Sequence, residues 1–254
     1  MKIELVPAFS DNYIFILSSE RGDVVVAVDP GEVRPVTRWL EPRGMRLTHI
    51  LATHHHSDHI DGHPALKGRY GCRILGSHQD RDRIPEIDHP LAEGEVYRLG
   101  DESLHVLDVP GHTRTHIAYW LPESKAVFTG DALFVLGCGR LFEGSPAQMW
   151  ESLCKLRALP PDTRLYCGHE YTMGNLRFAL TVDPDNKALQ KRAVDIRALR
   201  AESQPTVPAT IAQERETNPF FRADDSELQA SLGMSGASPV ETFAELRRRK
   251  DVFR

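Results

Sequence analysis

The densest group of chemically versatile side chains lies at residues 53–59, whose sequence is THHHSDH. The run follows an apolar segment with strand character, and in an extended chain alternate side chains point to opposite sides. We therefore predict that His54 and His56 share one side, and that Asp58 and His59 follow on the next turn. Imidazole and carboxylate groups with no cysteine among them suit Zn, Fe or Mn, so the run predicts a metal site.

Three further segments repeat one design, in which an apolar strand ends in a glycine turn followed by a ligand-type side chain. Their sequences are VLDVPGH, VFTGD and LYCGH, and they end at His112, Asp131 and His169. Strands with functional groups at their exits bring those groups together at one edge of a sheet. We expect these three side chains to join the four ligands of the first run.

Seven ligands exceed what one tetrahedral ion needs, but they match two ions that share a carboxylate. We assign His54, His56 and His112 to one metal, Asp58, His59 and His169 to the other, and Asp131 to both as the bridge. Each ion then keeps an open position, and two metals about 3.5–4 Å apart can hold a hydroxide that attacks an acyl or phosphoryl centre. Asp58 is a general base in an alternative interpretation, but its place in the run favours ligation. Asp58 and Asp131 are the predicted catalytic carboxylates.

The histidines are confined to one part of the chain. All 12 lie between His49 and His169, and the last 85 residues contain none. His55 and His116 are predicted to orient the ligands. The histidines outside these patterns are predicted to be surface or core residues: His49, His63, His78, His89 and His105.

The elements that must position these residues change in type along the chain. The first two thirds alternate short β-rich runs with turns, and helical periodicity then takes over, with a proline-bearing loop predicted at 204–219. Capping boxes with proline at the first helical position predict helix starts at Ser145 and Ser238. We predict a metal-binding catalytic domain at 1–169 and a helical substrate-binding domain at 170–254. Candidate strands lie at 3–6, 13–18, 24–28, 48–52, 73–75, 96–99, 103–109, 117–120, 126–128 and 164–166.

Composition and charge exclude several classes of protein. The longest apolar stretches, such as 24–28, have five residues, far short of the ~20 that a membrane helix requires. An acidic residue and a proline within residues 1–7 interrupt any signal-peptide core, so we expect a cytoplasmic protein with no membrane partner. The four cysteines lack C-x-x-C spacing, and a net charge of −5 argues against a nucleic-acid partner. Nothing in the sequence indicates an obligate protein partner.

The full ligand pattern, H-x-H-x-D-H with the later His112, Asp131 and His169, resembles that of the metallo-β-lactamase superfamily. The resemblance implies a mixed α/β fold, an αββα sandwich with its metals at one edge, here followed by a small C-terminal helical domain. Because the superfamily hosts many reactions, this match implies a fold and metals rather than a substrate.

Shorter motifs narrow the resemblance. Together they are similar to the glyoxalase II (hydroxyacylglutathione hydrolase) family over nearly the whole chain, including the helical tail. Phosphodiesterase, sulfur dioxygenase and lactamase relatives share the metal motif but are not expected to share that tail. The motifs are F-x-DNY at 9–13, VDPG at 28–31, GCGR-x-FEG at 137–144, YCGHEYT at 166–172, TNPF at 217–220 and RRRKD at 247–251.

The family resemblance implies an activity and cofactors. The implied reaction converts S-D-lactoylglutathione, and other 2-hydroxyacylglutathiones, to glutathione and D-lactate or its analogue, the second step of methylglyoxal detoxification. The implied cofactors are two divalent metal ions, with zinc expected and with Fe and Mn also compatible with nitrogen and oxygen ligands.

The resemblance also implies a glutathione site, because guanidinium and ammonium groups pair with carboxylates. Without it, the basic residues 247–250 would be interpreted as a solvated face near a helix C-terminus. Phe142 stands where family members often have a tyrosine, so one hydrogen bond to the substrate is expected to be missing. Backbone contacts are expected around His169. The side chains implied are Arg140, Tyr171, Arg247 and Lys250.

Other functions stay open on the residues alone. One alternative is a mono-iron persulfide dioxygenase, which also acts on a glutathione derivative, and another is a different metallo-hydrolase of the superfamily, such as a phosphodiesterase. A non-enzymatic metal-binding module is disfavoured by the surplus of ligands and by the open coordination positions.

Overall fold

The computed structural model describes residues 1–253 and separates the chain into two units. Unit 1 comprises residues 1–108 and 115–130, and unit 2 comprises residues 109–114 and those from 131 onward. The domain boundary predicted after residue 169 stays a prediction. Among the described residues, no helix combines the length and apolar character needed to cross a membrane.

The first sheet of unit 1 has six strands in sequential order. β1, β2 and β3 pair antiparallel, whereas β3 to β6 pair parallel. The strands are β1 (Lys2–Ala8), β2 (Asn12–Ser18), β3 (Val25–Val28), β4 (His49–Leu51), β5 (Arg73–Ser77) and β6 (His89–Leu91).

Unit 1 also contains an antiparallel meander of four strands and the helices that cover the first sheet. The strands are β7 (Val96–Leu99), β8 (Glu102–Asp108), β9 (Ile117–Leu121) and β10 (Ala126–Gly130). The helices are α1 (Val33–Leu40), α2 (Ser57–Ile60) and α3 (His63–Tyr70), with 3₁₀ turns at Glu41–Arg43 and His78–Asp80.

Alternate residues of β2 show how these layers pack. Ile14 and Ile16 belong to a core that also includes Leu40 of α1. The ring of Phe15 points the other way and lies 5.6 Å from the ring of Phe128 in β10. Because both faces of β2 are buried, the first sheet lies between the helices and the meander.

Unit 2 is mainly helical, with small strand pairs. A chain of aromatic rings forms part of its core, with Phe220 5.9 Å from Phe178 and 5.8 Å from Phe243. Its strands are β11 (Leu133–Phe134), β12 (Gly137–Cys138), β13 (Arg164–Cys167) and β14 (Ala209–Thr210). Its helices are α4 (Pro146–Arg157), α5 (Thr172–Val182), α6 (Lys187–Ala201), α7 (Ile211–Thr217), α8 (Ser226–Ser231) and α9 (Pro239–Val252), with a 3₁₀ turn at Pro219–Arg222.

Each predicted strand is present, with its bounds shifted by at most two residues. The capping boxes at Ser145 and Ser238 are confirmed. In each box the serine side chain accepts a hydrogen bond from the backbone amide of the third helical residue, and the side chain of that residue accepts one from the serine amide. The loop predicted at 204–219 is wrong, because it contains β14 and α7. Thr210 and Gln213 form a third capping box there, which the surrounding prolines obscured.

Candidate functional site

Strand β4 leads into the histidine run of residues 53–59. His54 Nε2 and His56 Nδ1 lie 3.1 Å apart, whereas His55 points away, with its Nδ1 3.2 Å from Asp80 Oδ2. The predicted alternation of the side chains is confirmed. One nitrogen from each of the two predicted ligands converges on a common point, which a shared metal ion requires.

Helix α2 begins after His56 and brings Asp58 and His59 together. Asp58 Oδ2 lies 3.4 Å from His59 Nε2. The same oxygen accepts a hydrogen bond of 2.9 Å from Nδ2 of Asn12, which is buried at the start of β2. The turn also needs Gly31, because a Cβ at that position would lie 1.9 Å from the carbonyl oxygen of Asp58.

Asp29 orients two residues of the run, a role that the sequence did not indicate. Its carboxylate accepts hydrogen bonds from the amide of Thr53 at 2.8 Å and from its hydroxyl at 2.7 Å, and lies 3.1 Å from His59 Nδ1. A carboxylate on one nitrogen of a histidine sets the tautomer and leaves the other nitrogen for a metal. Asp29 has a φ of 50°, a costly conformation for a non-glycine residue. Asp29 lies in the VDPG motif, but the motif alone did not predict a role for this residue.

His116 packs flat against His54. The ring centroids are 4.6 Å apart with 18° between the planes, and both residues are fully buried. The stacked ring limits rotation of His54 about its side-chain bonds. The stacking gives the predicted orienting role of His116 a physical basis.

Unit 2 brings together the three predicted ligands that follow glycine turns. Asp131 Oδ2 lies 3.5 Å from His112 Nε2 and 3.4 Å from His169 Nε2, and all three residues are buried. His112 Nδ1 donates a hydrogen bond of 2.9 Å to the carbonyl oxygen of Arg140, so Nε2 carries the lone pair. Gly139 permits this close packing, because a Cβ there would lie 2.0 Å from the carbonyl oxygen of Asp131.

The separations between these ligand atoms fit a tetrahedral metal. With bonds of about 2.0–2.1 Å, neighbouring nitrogen or oxygen ligands of a tetrahedral ion lie about 3.3–3.4 Å apart. The His54–His56 separation is 3.1 Å, the Asp58–His59 separation is 3.4 Å, and Asp131 lies 3.4 and 3.5 Å from its two histidines. The clusters and the donor types therefore fit a divalent metal.

Two aromatic side chains lie beside the ligands of unit 2. The ring of Tyr171 stacks on that of His169 with a centroid distance of 4.6 Å and an interplanar angle of 7°. The ring of Phe142 lies 5.2 Å from that of His112. Both aromatic residues are exposed, as is Arg140, which lies two residues before Phe142 in the sequence, so all three can meet a ligand from solvent.

Arg247 has internal partners that the sequence did not indicate. It is 5% exposed, and its Nη1 donates a hydrogen bond of 2.9 Å to the carbonyl oxygen of Cys138. Its guanidinium also pairs with Asp251 at 2.8 Å. Arg247 therefore stabilises the structure around Cys138, while its contact with glutathione stays a prediction.

Lys250 lies in a group of positive charges. Its Nζ donates a hydrogen bond of 3.1 Å to the carbonyl oxygen of Gly174. Burial, with a smaller contribution from the neighbouring charges of Arg247, Arg177 and Arg140, lowers the pKa of Lys250 to about 8. Such a cluster of cations favours an anionic ligand.

Two family models match the chain. Residues 12–169 match that of the metallo-beta-lactamase superfamily, and residues 170–253 match that described as hydroxyacylglutathione hydrolase C-terminus. The structure of ETHE1 from Myxococcus xanthus is similar with a TM-score of 0.71 and 27% identity, covering 100% of this chain and 93% of that one. That of the BLEG-1 B3 metallo-beta-lactamase has a TM-score of 0.68 and 21% identity, covering 87% and 99%. The fold and the ligand clusters define a member of the metallo-β-lactamase superfamily, with the predicted helical domain at its C-terminus.

Curated relatives identify the family within this superfamily. Proteins named hydroxyacylglutathione hydrolase from Methylococcus capsulatus and Rhodospirillum rubrum are 50% and 49% identical, each covering 100% of this chain and 99% of the relative. The chain belongs to the hydroxyacylglutathione hydrolase family.

Proposed function

We propose that this protein is a binuclear, metal-dependent thioester hydrolase that converts S-D-lactoylglutathione and related 2-hydroxyacylglutathiones to glutathione and the free 2-hydroxy acid. The observation on which the proposal depends is the convergence of His112 and His169 on Asp131 in a chain about half identical to hydroxyacylglutathione hydrolases. The relatives and the C-terminal family model favour this activity over the persulfide dioxygenase alternative.

The metals would be zinc, held by the seven predicted ligands. The separations of the ligand atoms within each cluster support tetrahedral binding, and nitrogen and oxygen donors suit zinc. Membership of the family and the order of the motifs along the chain support joining the two clusters in one centre. One metal would bind His54, His56 and His112, the other would bind Asp58, His59 and His169, and Asp131 would bind both.

When bound, the metals would supply an activated water at neutral pH and polarise the thioester carbonyl. The chain's own task is to keep the ligands from rotating. Asn12 holds Asp58, Asp29 holds His59, and the carbonyl of Arg140 holds His112. Hydrolysis adds water across the C–S bond and releases a carboxylic acid and a thiol. A thiol with a free pKa of ~8.5 is a fair leaving group, so the reaction needs no protein nucleophile.

The substrate would be recognised through its glutathione part. Arg140 and Lys250 would pair with glutathione carboxylates, and the exposed rings of Phe142 and Tyr171 would pack against the peptide. Arg247 would contribute from a buried position. None of these residues addresses the acyl group, so we expect several 2-hydroxyacyl groups to be accepted.

A panel of three substrates tests the proposal. We expect S-D-lactoylglutathione to be hydrolysed with a kcat/KM ~10–100-fold above that of a D-lactoyl thioester of a small thiol, because one charged hydrogen bond contributes about 1.5–3 kcal/mol. We expect no oxygen uptake with glutathione persulfide. Equal rates with both thioesters would contradict glutathione recognition, and oxygen uptake would favour the dioxygenase.

A further inference from the structure

The segment 131–140 connects Asp131 to Arg140 and contains the β11–β12 hairpin. This hairpin makes few backbone bonds of its own, because each strand has two residues. Side chains of the helical tail bind the backbone of the hairpin instead. Two of these side chains are Glu214 of α7 and Asn218 of the TNPF motif at 217–220. The proposed function gives neither segment a role.

Asn218 of the TNPF motif binds the hairpin at two places. Its Nδ2 lies 3.3 Å from the carbonyl oxygen of Phe134 and 3.1 Å from that of Gly137, both of which accept from it. Its Oδ1 accepts a hydrogen bond of 3.0 Å from the amide of Phe220. Asn218 is fully buried, so water does not compete for these bonds.

Glu214 of α7 binds the turn of the same hairpin. Its Oε2 accepts a hydrogen bond of 2.8 Å from the amide of Leu136 and another of 2.9 Å from Asn218. Its Oε1 pairs with Arg192 at 2.6 Å, which balances the charge of a fully buried carboxylate. Leu136 has a φ of 59°, a conformation that a leucine keeps only where the surroundings hold it.

Two further tail residues complete the set of contacts. Asn175 donates a hydrogen bond of 3.1 Å to the carbonyl oxygen of Val135, and Arg247 donates one of 2.9 Å to that of Cys138. Every residue from 134 to 138 therefore has a backbone group bound by the tail. A buried set of hydrogen bonds of this kind fixes the hairpin more rigidly than two-residue strands could.

We infer that Glu214 and Asn218 are positioning residues for Asp131, acting through the backbone of the hairpin that follows it. The inference rests on the proposed function, in which Asp131 bridges the metals. A bridging carboxylate must be held within roughly 0.5 Å of its productive position, and Asp131 lies two residues before β11. The helical tail then contributes to the metal centre as well as to substrate binding.

A matched pair of variants separates positioning from general stability. Asn218→Ala removes a buried amide that binds two hairpin carbonyls. Gln229→Ala removes a buried amide that binds the carbonyls of Ala223 and Ala237, at 3.0 and 3.1 Å, elsewhere in the tail. The readouts are the Co²⁺ affinity of the metal-free protein, followed by visible absorption, together with kcat, KM and the Tm.

We expect both variants to lower the Tm, and only Asn218→Ala to weaken Co²⁺ binding, by about 10–100-fold, with a matching fall in kcat. Gln229→Ala should leave Co²⁺ affinity within about twofold of the wild type, well below that effect. Unchanged Co²⁺ affinity in Asn218→Ala, or an equal loss in both variants, would overturn the inference.

A second variant covers the case in which Asn218→Ala does not fold. Glu214→Gln keeps the shape of the side chain but removes one acceptor, and it is combined with Asp131→Asn in a double-mutant cycle. If Glu214 acts through Asp131, Glu214→Gln does not lower the Co²⁺ affinity further in the Asp131→Asn background. If the two substitutions lower the Co²⁺ affinity additively, the inference is refuted. A wild-type protein that does not hydrolyse the thioester refutes the proposed function, while the Co²⁺ titrations still decide this inference.

Discussion

The backbone of Arg140 fixes the ring of His112, since the Arg140 carbonyl oxygen lies 2.9 Å from His112 Nδ1. Arg140 thereby contributes to two parts of the site. Its carbonyl oxygen accepts a hydrogen bond from a proposed metal ligand, and its exposed guanidinium is available to the substrate. A substitution that shortens the side chain keeps the carbonyl, so the two contributions can be measured separately.

Arg140→Ala is expected to raise KM for S-D-lactoylglutathione by ~10–100-fold with little change in kcat, because it removes a charged contact to a remote carboxylate. Steady-state kinetics measure this split. Arg248→Ala is the matched control, since Arg248 is an exposed arginine that pairs with Glu245. A fall in kcat as large as the rise in KM would place Arg140 in the chemical step instead.

Arg247→Ala is expected to lower stability as well as affinity. It removes the hydrogen bond that Arg247 donates to the buried carbonyl of Cys138, which costs about 1–3 kcal/mol in the free energy of unfolding. We also expect KM to rise more than kcat falls. Denaturant unfolding and kinetics together check this result, and the surface variant Arg248→Ala should change stability by less than about 0.5 kcal/mol. An unchanged KM would move glutathione recognition to other residues.

The pKa of Lys250, about 8, predicts a pH dependence of substrate binding. The ammonium group is charged below this pH and neutral above it, so KM should rise as the pH passes 8. Lys250→Arg keeps its charge at these pH values and should abolish the rise. A KM profile identical in wild type and Lys250→Arg would show that another group titrates.

The lowered pKa of Lys250 also predicts that stability increases with pH, whereas substrate binding weakens. Its folded pKa of about 8 lies below the ordinary value of 10.5, so the unfolded chain binds more protons between these pH values. The contribution of Lys250 to the free energy of unfolding therefore rises with pH across this window and is smallest below pH 8. Unfolding experiments on the wild type and on Lys250→Arg, with pH as the variable, measure this difference.

Asp29→Asn is expected to weaken metal binding by about 10–100-fold. The reason is that a side-chain amide cannot accept all the hydrogen bonds that the Asp29 carboxylate accepts from Thr53 and His59. Competition with a chromophoric chelator measures this affinity. Asp82→Asn makes the same chemical change at a side chain that is 94% exposed, and should have no effect. Equal affinities in the two variants would remove Asp29 from the support of the metal centre.

The sequence predicted those features that depend on local pattern. His54 and His56 were placed together because side chains alternate along an extended chain, and the helix at Ser145 because its cap involves neighbouring residues. The role of Asp29 could not be predicted in this way, since its partner His59 is 30 residues away. The contact of Glu214 with Leu136 spans 78 residues and requires the helix that we predicted as a loop.

Whether Asp131 bridges two metal ions is tested most directly by the metal content and turnover of the wild type and Asp131→Ala, measured before and after chelation. We expect two zinc ions per wild-type chain, with S-D-lactoylglutathione hydrolysis lost on chelation and restored by zinc. We expect Asp131→Ala to keep at most one ion and to lose at least ~100-fold in kcat, about 2.7 kcal/mol of transition-state stabilisation. Two retained ions with near-normal turnover in Asp131→Ala would contradict the bridge, and so would wild-type hydrolysis that is insensitive to chelation.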